Sequence, residues 1–93
     1  MNSTIPTQSA AEVERKALGQ RLAAVRHLEG WTQEFAAEKL GVTKAALSAW
    51  ETGRNLPDAM ALKRLSKLYG IGVDAILWEV AKPRGVRQSA KAA

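Results

Sequence analysis

The chain has 93 residues, of which 46% are hydrophobic and 25% charged, as is typical of one small globular domain. It contains no cysteine and one histidine, which excludes disulfides, thiolate metal sites and multi-histidine metal sites. The net charge of +5 favours a polyanionic partner, and no apolar run is long enough to span a membrane. The N-terminus lacks the basic start and apolar stretch of a secretory signal, so we expect a cytoplasmic protein without a cofactor.

The first helix is predicted to begin near Ala10. Ser9, followed three residues later by Glu12, has the pattern of a capping box at a helix N-terminus. Gly30 is expected to end the helix. Between these limits, apolar residues recur at helical spacing at Leu18, Leu22, Val25 and Leu28. Residues 1–8, which precede this helix, are polar and predict a flexible leader.

Two short helices follow, and they meet at Gly41, where a left-handed backbone is easily adopted. Thr32 can cap the first of them, which runs to about Leu40; Thr43 can cap the second, which Gly53 ends. The residues expected to face inward are Phe35, Ala36 and Leu40 in one helix, and Leu47 and Trp50 in the other. Such a bent pair leaves its second helix exposed and narrow enough for the major groove of DNA.

Two further helices complete the predicted domain, residues 9–79. Pro57-Asp58 is a helix-start signal, and the fourth helix is expected from about Asp58 to Tyr69. Its inward residues are predicted to be Ala59, Leu62, Leu65 and Tyr69. A last short helix spans Val73 to Trp78. Because no strand alternation or repeat is present, the predicted fold class is all-α, a compact five-helix bundle with a central helix-turn-helix.

Several motifs lie at characteristic spacing between residues 18 and 77. They are Leu18…Leu22…Val25-Arg26, Gly30-Trp31-Thr32-Gln33, Ala37-Glu38-Lys39-Leu40-Gly41-Val42, Leu47-Ser48-Ala49-Trp50-Glu51-Thr52-Gly53-Arg54…Pro57 and Leu65…Gly70-Ile71…Asp74-Ala75-Ile76-Leu77. In these motifs the chain resembles the XRE-type helix-turn-helix family, which includes the lambdoid phage repressors and Cro proteins. The resemblance implies a five-helix domain that binds double-stranded DNA, with residues 43–51 as the recognition helix.

The outward positions of that helix are predicted to contact base edges. The resemblance assigns this role to Lys44, Ala45, Ser48 and Ala49. Lysine can donate to guanine O6 and N7, serine to several base edges, and an alanine methyl can touch the thymine methyl. Three alanines (45, 46 and 49) stand where better-studied phage repressors carry long amides, which suggests modest direct readout. Alternatively, Ala45 and Ala46 merely let the helix approach the DNA closely.

A second set of residues is predicted to contact phosphates. Gln33 begins the second helix, where backbone N–H groups and a side-chain amide can both reach a phosphate; an exposed glutamine without a role is the alternative. The complete predicted set is Thr32, Gln33, Thr43, Arg54 and Asn55. Residues 80–93 hold four bases and no acid and predict a flexible basic tail. Counterion release is its expected contribution, and insertion into a minor groove is a weaker alternative.

The resemblance also places Arg26, late in the first helix, beside Glu51, at the end of the third. If buried, such a pair would hold the recognition helix in place; if exposed, it would contribute little. Trp31 is interpreted as a core or lid residue rather than one that stacks on bases. The single histidine, His27, is interpreted as an exposed helix residue.

These residues predict a transcriptional regulator of prokaryotic or phage origin that acts at the nucleoid, with repression the expected outcome. A homodimer on a palindromic operator would double the small footprint of one domain. Ile71, Ile76 and Trp78 are the candidates for its dimer surface, although Trp78 could instead pack on the first helix. Alternatives are an antitoxin that binds a toxin, a restriction-system controller, or a protein-interaction adaptor that does not bind DNA. An enzyme is not expected, since the chain has no cysteine, one histidine and no phosphate-binding glycine loop, and so small a bundle is not expected to form a cleft.

Overall fold

The computed structural model describes residues 9–78, which form five α-helices and no strand. The helices are α1 (Ala10–Leu28), α2 (Gln33–Leu40), α3 (Lys44–Thr52), α4 (Ala59–Tyr69) and α5 (Val73–Leu77). The prediction of an all-α, five-helix architecture with a central helix-turn-helix is therefore confirmed. Within residues 9–78, none of the helices is long and apolar enough to cross a membrane. The predicted leader and basic tail lie outside the described residues.

Side-chain caps begin the first four helices. In each, an oxygen of the residue before the helix accepts a hydrogen bond from the backbone N–H three residues later, which satisfies one of the free donors of the first turn. The caps are Ser9, Thr32, Thr43 and Asp58, with donor–acceptor distances of 2.9 to 3.1 Å. Gly41 and Gly53 end α2 and α3 in the left-handed region, with φ of 76° and 82°. Local signals in the sequence thus set these helix boundaries.

The core lies where α1, α3, α4 and α5 converge. Leu22, Leu47, Leu65 and Ile76 contribute one fully buried side chain from each of these helices. The other residues of this core cluster surround them and are Leu18, Ala36, Ala37, Leu40, Trp50, Ala61 and Tyr69. Since burial of a large aliphatic side chain contributes roughly 1.5–3 kcal/mol, these four residues supply much of the stability of so small a domain.

Three residues that the sequence placed on apolar helix faces are exposed instead. Leu28 is 86% exposed because it follows the buried Arg26 by two residues, which places it about 200° round the helix. Phe35 is 41% exposed, because the small side chains of Ala36 and Ala37 take the core-facing positions of α2. In α4 the buried stripe is Ala61, Leu65 and Tyr69, with Ala59 on the exposed side.

The structure of the C-terminal segment contradicts part of the predicted dimer surface. Ile76 is fully buried and belongs to the core, so it cannot form an interface, whereas Trp78 is 62% exposed. Arg21 of α1 donates from Nε to the carbonyl of Ile76 at 2.9 Å and from Nη2 to that of Leu77 at 3.0 Å. Because α5 has five residues and cannot form alone, this side chain fixes its position on α1.

Helix α1 and the end of α3 approach each other at two glycines. A Cβ added at Gly19 would overlap the backbone carbonyls of Trp50 and Glu51, and one at Gly53 would overlap the backbone of Lys16. Arg15 adds a hydrogen bond from Nε to the carbonyl of Gly53, at 3.1 Å. The C-terminal end of α3 is thus held directly on the backbone of α1.

Candidate nucleic-acid interface

Helix α3 has one buried face and one face open to solvent. Leu47 and Trp50 pack into the core, whereas Lys44 and Ala45 are exposed and Ser48 is half-buried. The accessible side chains therefore lie in the first turn and a half of the helix. They form a surface that no other described helix covers.

Ala49, predicted to face outward with them, is only 7% exposed. The left-handed backbone at Gly53 reverses the chain after α3. As a result, the N–H groups of Arg54 and Asn55 donate to the carbonyl of Ala49, at 2.9 and 3.2 Å. The expected orientation of Ala49 was wrong because this turn returns to the helix at that residue.

A buried ion pair ties α3 to α1. Arg26 donates from Nε to Glu51 Oε2 at 2.8 Å and from Nη2 to Glu51 Oε1 at 2.9 Å. Its Nη1 donates to the carbonyl of Trp31 at 2.8 Å, and the two charged residues are only 8% and 9% exposed. The hydrogen bond to Glu51 raises the pKa of Arg26 above its ordinary value, although burial opposes this. The two side chains therefore satisfy each other's hydrogen-bonding groups in a buried position.

Gln33 extends this pair to α2. Its Nε2 donates to Glu51 Oε1 at 2.9 Å, so that Glu51 accepts from two different helices. The side-chain amide of glutamine has two N–H donors and one acceptor, and the contact with Glu51 uses one donor. We call Arg26, Gln33 and Glu51 the buried network. It fixes the side chain of Gln33 while leaving one N–H free.

The remaining residues of the predicted phosphate set are exposed. Thr32 and Thr43 each use a hydroxyl oxygen as a helix cap, which leaves the hydroxyl proton free to donate. Arg54 and Asn55 are also exposed, and their backbone is fixed by the bonds to Ala49. All of these residues belong to the helix-turn-helix or to the turn that follows α3.

One contact at this surface was absent from the predictions. Lys44 Nζ lies 2.8 Å from Glu34 Oε2, and both side chains are more than half exposed. The hydrogen bond from Lys44 is the main reason why the pKa of Glu34 is lowered. Because the two residues are ten positions apart on different helices, no helical spacing rule could have paired them.

Trp31 belongs to an aromatic cluster at the start of α2. Its ring meets Phe35 edge-on at 5.2 Å between centroids, and Tyr69 at 6.1 Å. Lys39 lies 5.3 Å from the Phe35 ring centroid. Half-buried among these residues, Trp31 packs against the core, as expected for a core or lid residue.

Two short helices, α2 and α3, joined by a tight turn at Gly41, with the second helix exposed, define the helix-turn-helix class of DNA-binding domains. The family model described as "Helix-turn-helix domain" matches residues 17–77, and the chain belongs to this family. Its members of the XRE type are DNA-binding transcriptional regulators, which confirms the predicted family and its DNA-binding character.

Known regulators are similar to the chain over this region. The HTH-type transcriptional regulator ImmR of Bacillus subtilis is 42% identical over 60 residues, which cover 64% of the chain and 47% of ImmR. PuuR of Escherichia coli is 36% identical over 70 residues, 75% of the chain and 38% of PuuR. The chain thus spans less than half the length of these two relatives.

Among solved structures, the crystal structure of the clp gene regulator ClgR from C. glutamicum superposes with a TM-score of 0.63 at 28% identity. The superposition covers 75% of the chain and 87% of the ClgR chain. The similarity therefore extends through nearly the whole of that solved domain.

Proposed function

We propose that this protein is a sequence-specific regulator of transcription that binds double-stranded DNA as a homodimer and acts as a repressor. It would work in the prokaryotic cytoplasm at the nucleoid. The observation that carries this proposal is the exposed first half of α3, held from behind by the buried network. In this arrangement α3 enters the major groove, where an α-helix fits and each base pair presents a distinct pattern.

Three side chains are proposed to face the bases. Lys44 donates to guanine O6 or N7, Ala45 offers a methyl group to thymine, and Ser48 donates to or accepts from a base edge. This set is small, because Ala49 is buried. Sequence preference is therefore expected to depend on few positions within each half-site, together with the shape of the DNA.

The phosphate contacts are proposed to come from Thr32, Gln33 and Thr43 on one side of α3 and from Arg54 and Asn55 on the other. Gln33 keeps one free N–H after its bond to Glu51, and its backbone lies at the N-terminus of α2, where anions are stabilised. These contacts fix the register of the domain on the duplex and carry no sequence information themselves.

The dimer surface is proposed to be an apolar groove between α1 and the end of α5, with a second copy of the chain as its occupant. Val13, Leu56, Leu77 and Trp78 line this groove and are exposed. Ile71 is half-buried and lies outside the groove lining. One domain reads only a few base pairs, so a second copy on a neighbouring half-site, about 34–36 Å away, would supply affinity and specificity.

Selection of binding sites from a random duplex pool with the 93-residue chain tests this proposal. We expect enrichment of an inverted repeat, and an affinity that falls steeply with added salt because phosphate contacts release counterions. Sedimentation of the complex should show two chains per duplex. Absence of binding to any duplex at low salt would instead favour the adaptor alternative, and co-purification with a toxin would favour the antitoxin.

A further inference from the structure

The ion pair between Lys44 and Glu34 carries an inference that rests on the proposed function and extends it. Lys44 is the first residue of α3, and Glu34 is the second residue of α2. Their side chains meet at 2.8 Å between the first turns of the two helices. The carboxylate therefore lies beside the ammonium that is proposed to read the DNA.

The position of Lys44 is unfavourable for helix stability. The N-terminus of a helix carries a partial positive charge, so a lysine there is repelled, and the first turn of α3 contains no acidic residue to offset it. Glu34 supplies the missing negative charge from the neighbouring helix. The pair thus compensates for a cation placed at the exposed end of α3.

The chemistry of the lysine side chain allows the pair to persist on DNA. An ammonium group has three N–H donors, and the contact with Glu34 uses one of them. The other two can donate to base acceptors in the groove. A lysine released from Glu34 could instead rotate toward any nearby phosphate oxygen, since its four-carbon stem is flexible.

We propose that Glu34 is a positioning residue for specificity: it holds the Lys44 ammonium between α2 and α3, where the amine donates to a base rather than to a phosphate. Its carboxylate also repels phosphates that approach this position. Binding to non-cognate duplexes, which depends on phosphate contacts alone, is weakened more than binding to the cognate site.

The test compares Glu34→Gln with Glu38→Gln in the 93-residue chain. Glu38 is an exposed acid on the same helix and has no ion-pair partner among residues 9–78, so its substitution changes the net charge equally. Fluorescence anisotropy would measure the affinity of each variant for the selected duplex and for a scrambled duplex of the same length, over a range of salt concentrations.

Both substitutions are expected to strengthen binding, because each removes one negative charge. Glu34→Gln should lower the ratio of cognate to scrambled affinity by about two- to five-fold more than Glu38→Gln does. This modest change is expected because an exposed ion pair contributes little energy. In a Lys44→Ala background, the two substitutions should have the same effect on that ratio. Equal thermal stability of the two variants would exclude a difference in folding.

Equal ratios for the two variants in the wild-type background would overturn the inference, because Glu34 would then act only through net charge. A ratio that changes equally with and without Lys44 would also overturn it. Failure of the wild-type chain to prefer any duplex would instead refute the proposed function, so the two failures are distinguishable.

Discussion

Arg26 and Glu51 form a two-point contact at 2.8 and 2.9 Å that joins the end of α1 to the end of α3. Gln33 shares the Glu51 carboxylate, so three helices meet at one buried charge. Since removal of one partner from a buried pair leaves an uncompensated charge, this contact is expected to be essential for stability.

Arg26→Ala should lower the free energy of unfolding by about 3–5 kcal/mol, because Glu51 would remain buried without its partner. Urea denaturation followed by circular dichroism measures this change. The double variant Arg26→Met/Glu51→Leu serves as the control, and most of the stability should return. A loss below about 1 kcal/mol in the single variant would mean that the pair behaves like an exposed one.

Gly19→Ala should destabilise the domain although alanine is the better helix former. The gain in helix propensity is about 1 kcal/mol, whereas the Cβ would overlap the carbonyls of Trp50 and Glu51 and force α1 away from α3. A net loss of about 1–3 kcal/mol is expected in thermal or urea unfolding. Gln20→Ala, at the exposed neighbouring position, should change stability little; equal effects of the two would contradict the close approach.

Tyr69 should limit stability at high pH. Burial raises the pKa of its hydroxyl to about 12, and the hydroxyl has no hydrogen-bond partner among the described residues. In the unfolded chain the group ionises near its ordinary pKa of about 10. As the pH rises, the unfolded state therefore loses this proton before the folded state does. The folded state's contribution from protonated Tyr69 is complete below pH 10, and the free energy of unfolding falls as the pH rises from about 10 toward 12.

Tyr69→Phe should reduce this alkaline decline and leave stability near pH 7 within about 1 kcal/mol, since no hydrogen bond is lost. Urea midpoints of both proteins between pH 7 and pH 12 measure the effect. If the two proteins lose stability in parallel above pH 10, another group is responsible.

Gln33→Ala should weaken binding to selected and scrambled duplexes by nearly the same factor, because a phosphate contact carries no sequence information. Anisotropy titrations over a range of salt concentrations would measure both affinities. Since Gln33 also contacts Glu51, the melting temperature of the variant must be measured beside them. A loss confined to the selected duplex would assign Gln33 to base readout instead.

Lys44→Ala should reduce preference for the selected site by roughly 1–3 kcal/mol if the amine contacts a guanine at two acceptors. Competition titrations with single base-pair variants of that site would locate the contact. Lys63→Ala, at an exposed position of α4, is the control for loss of one positive charge. Equal losses for the two variants on every duplex would remove Lys44 from the base-reading set.

Local signals in the sequence were sufficient for most of the fold. The hydroxyl and carboxylate caps set where helices begin, and Gly41 and Gly53 end α2 and α3 because the left-handed backbone there favours glycine. The prediction that Phe35 faces inward was wrong, because hydrophobicity alone does not distinguish a core position from a position in a surface aromatic cluster. The two neighbouring alanines allow α2 to approach the core closely instead.

Contacts between distant residues could not be predicted in the same way. Arg15 reaches Gly53 across 38 positions, and Arg21 reaches Ile76 across 55. Neither pair follows a helical period, and arginine at such positions is usually exposed. The contact of Glu34 with Lys44 likewise depends on the angle between α2 and α3, which spacing along the chain does not specify.

The hydrogen bonds from Arg21 to the end of α5 have a consequence for operator geometry. Helix α1 holds the end of α5, which precedes Trp78, through Arg21, and it holds α3 through Gly19 and Arg26. In a dimer formed through Trp78, no hinge would separate the dimer interface from α3. The protein would therefore set the distance between the two α3 helices. Lengthening the operator by about five base pairs, half a turn of the duplex, would move the second half-site to the opposite face of the DNA. The second copy of the chain would then be unable to bind it.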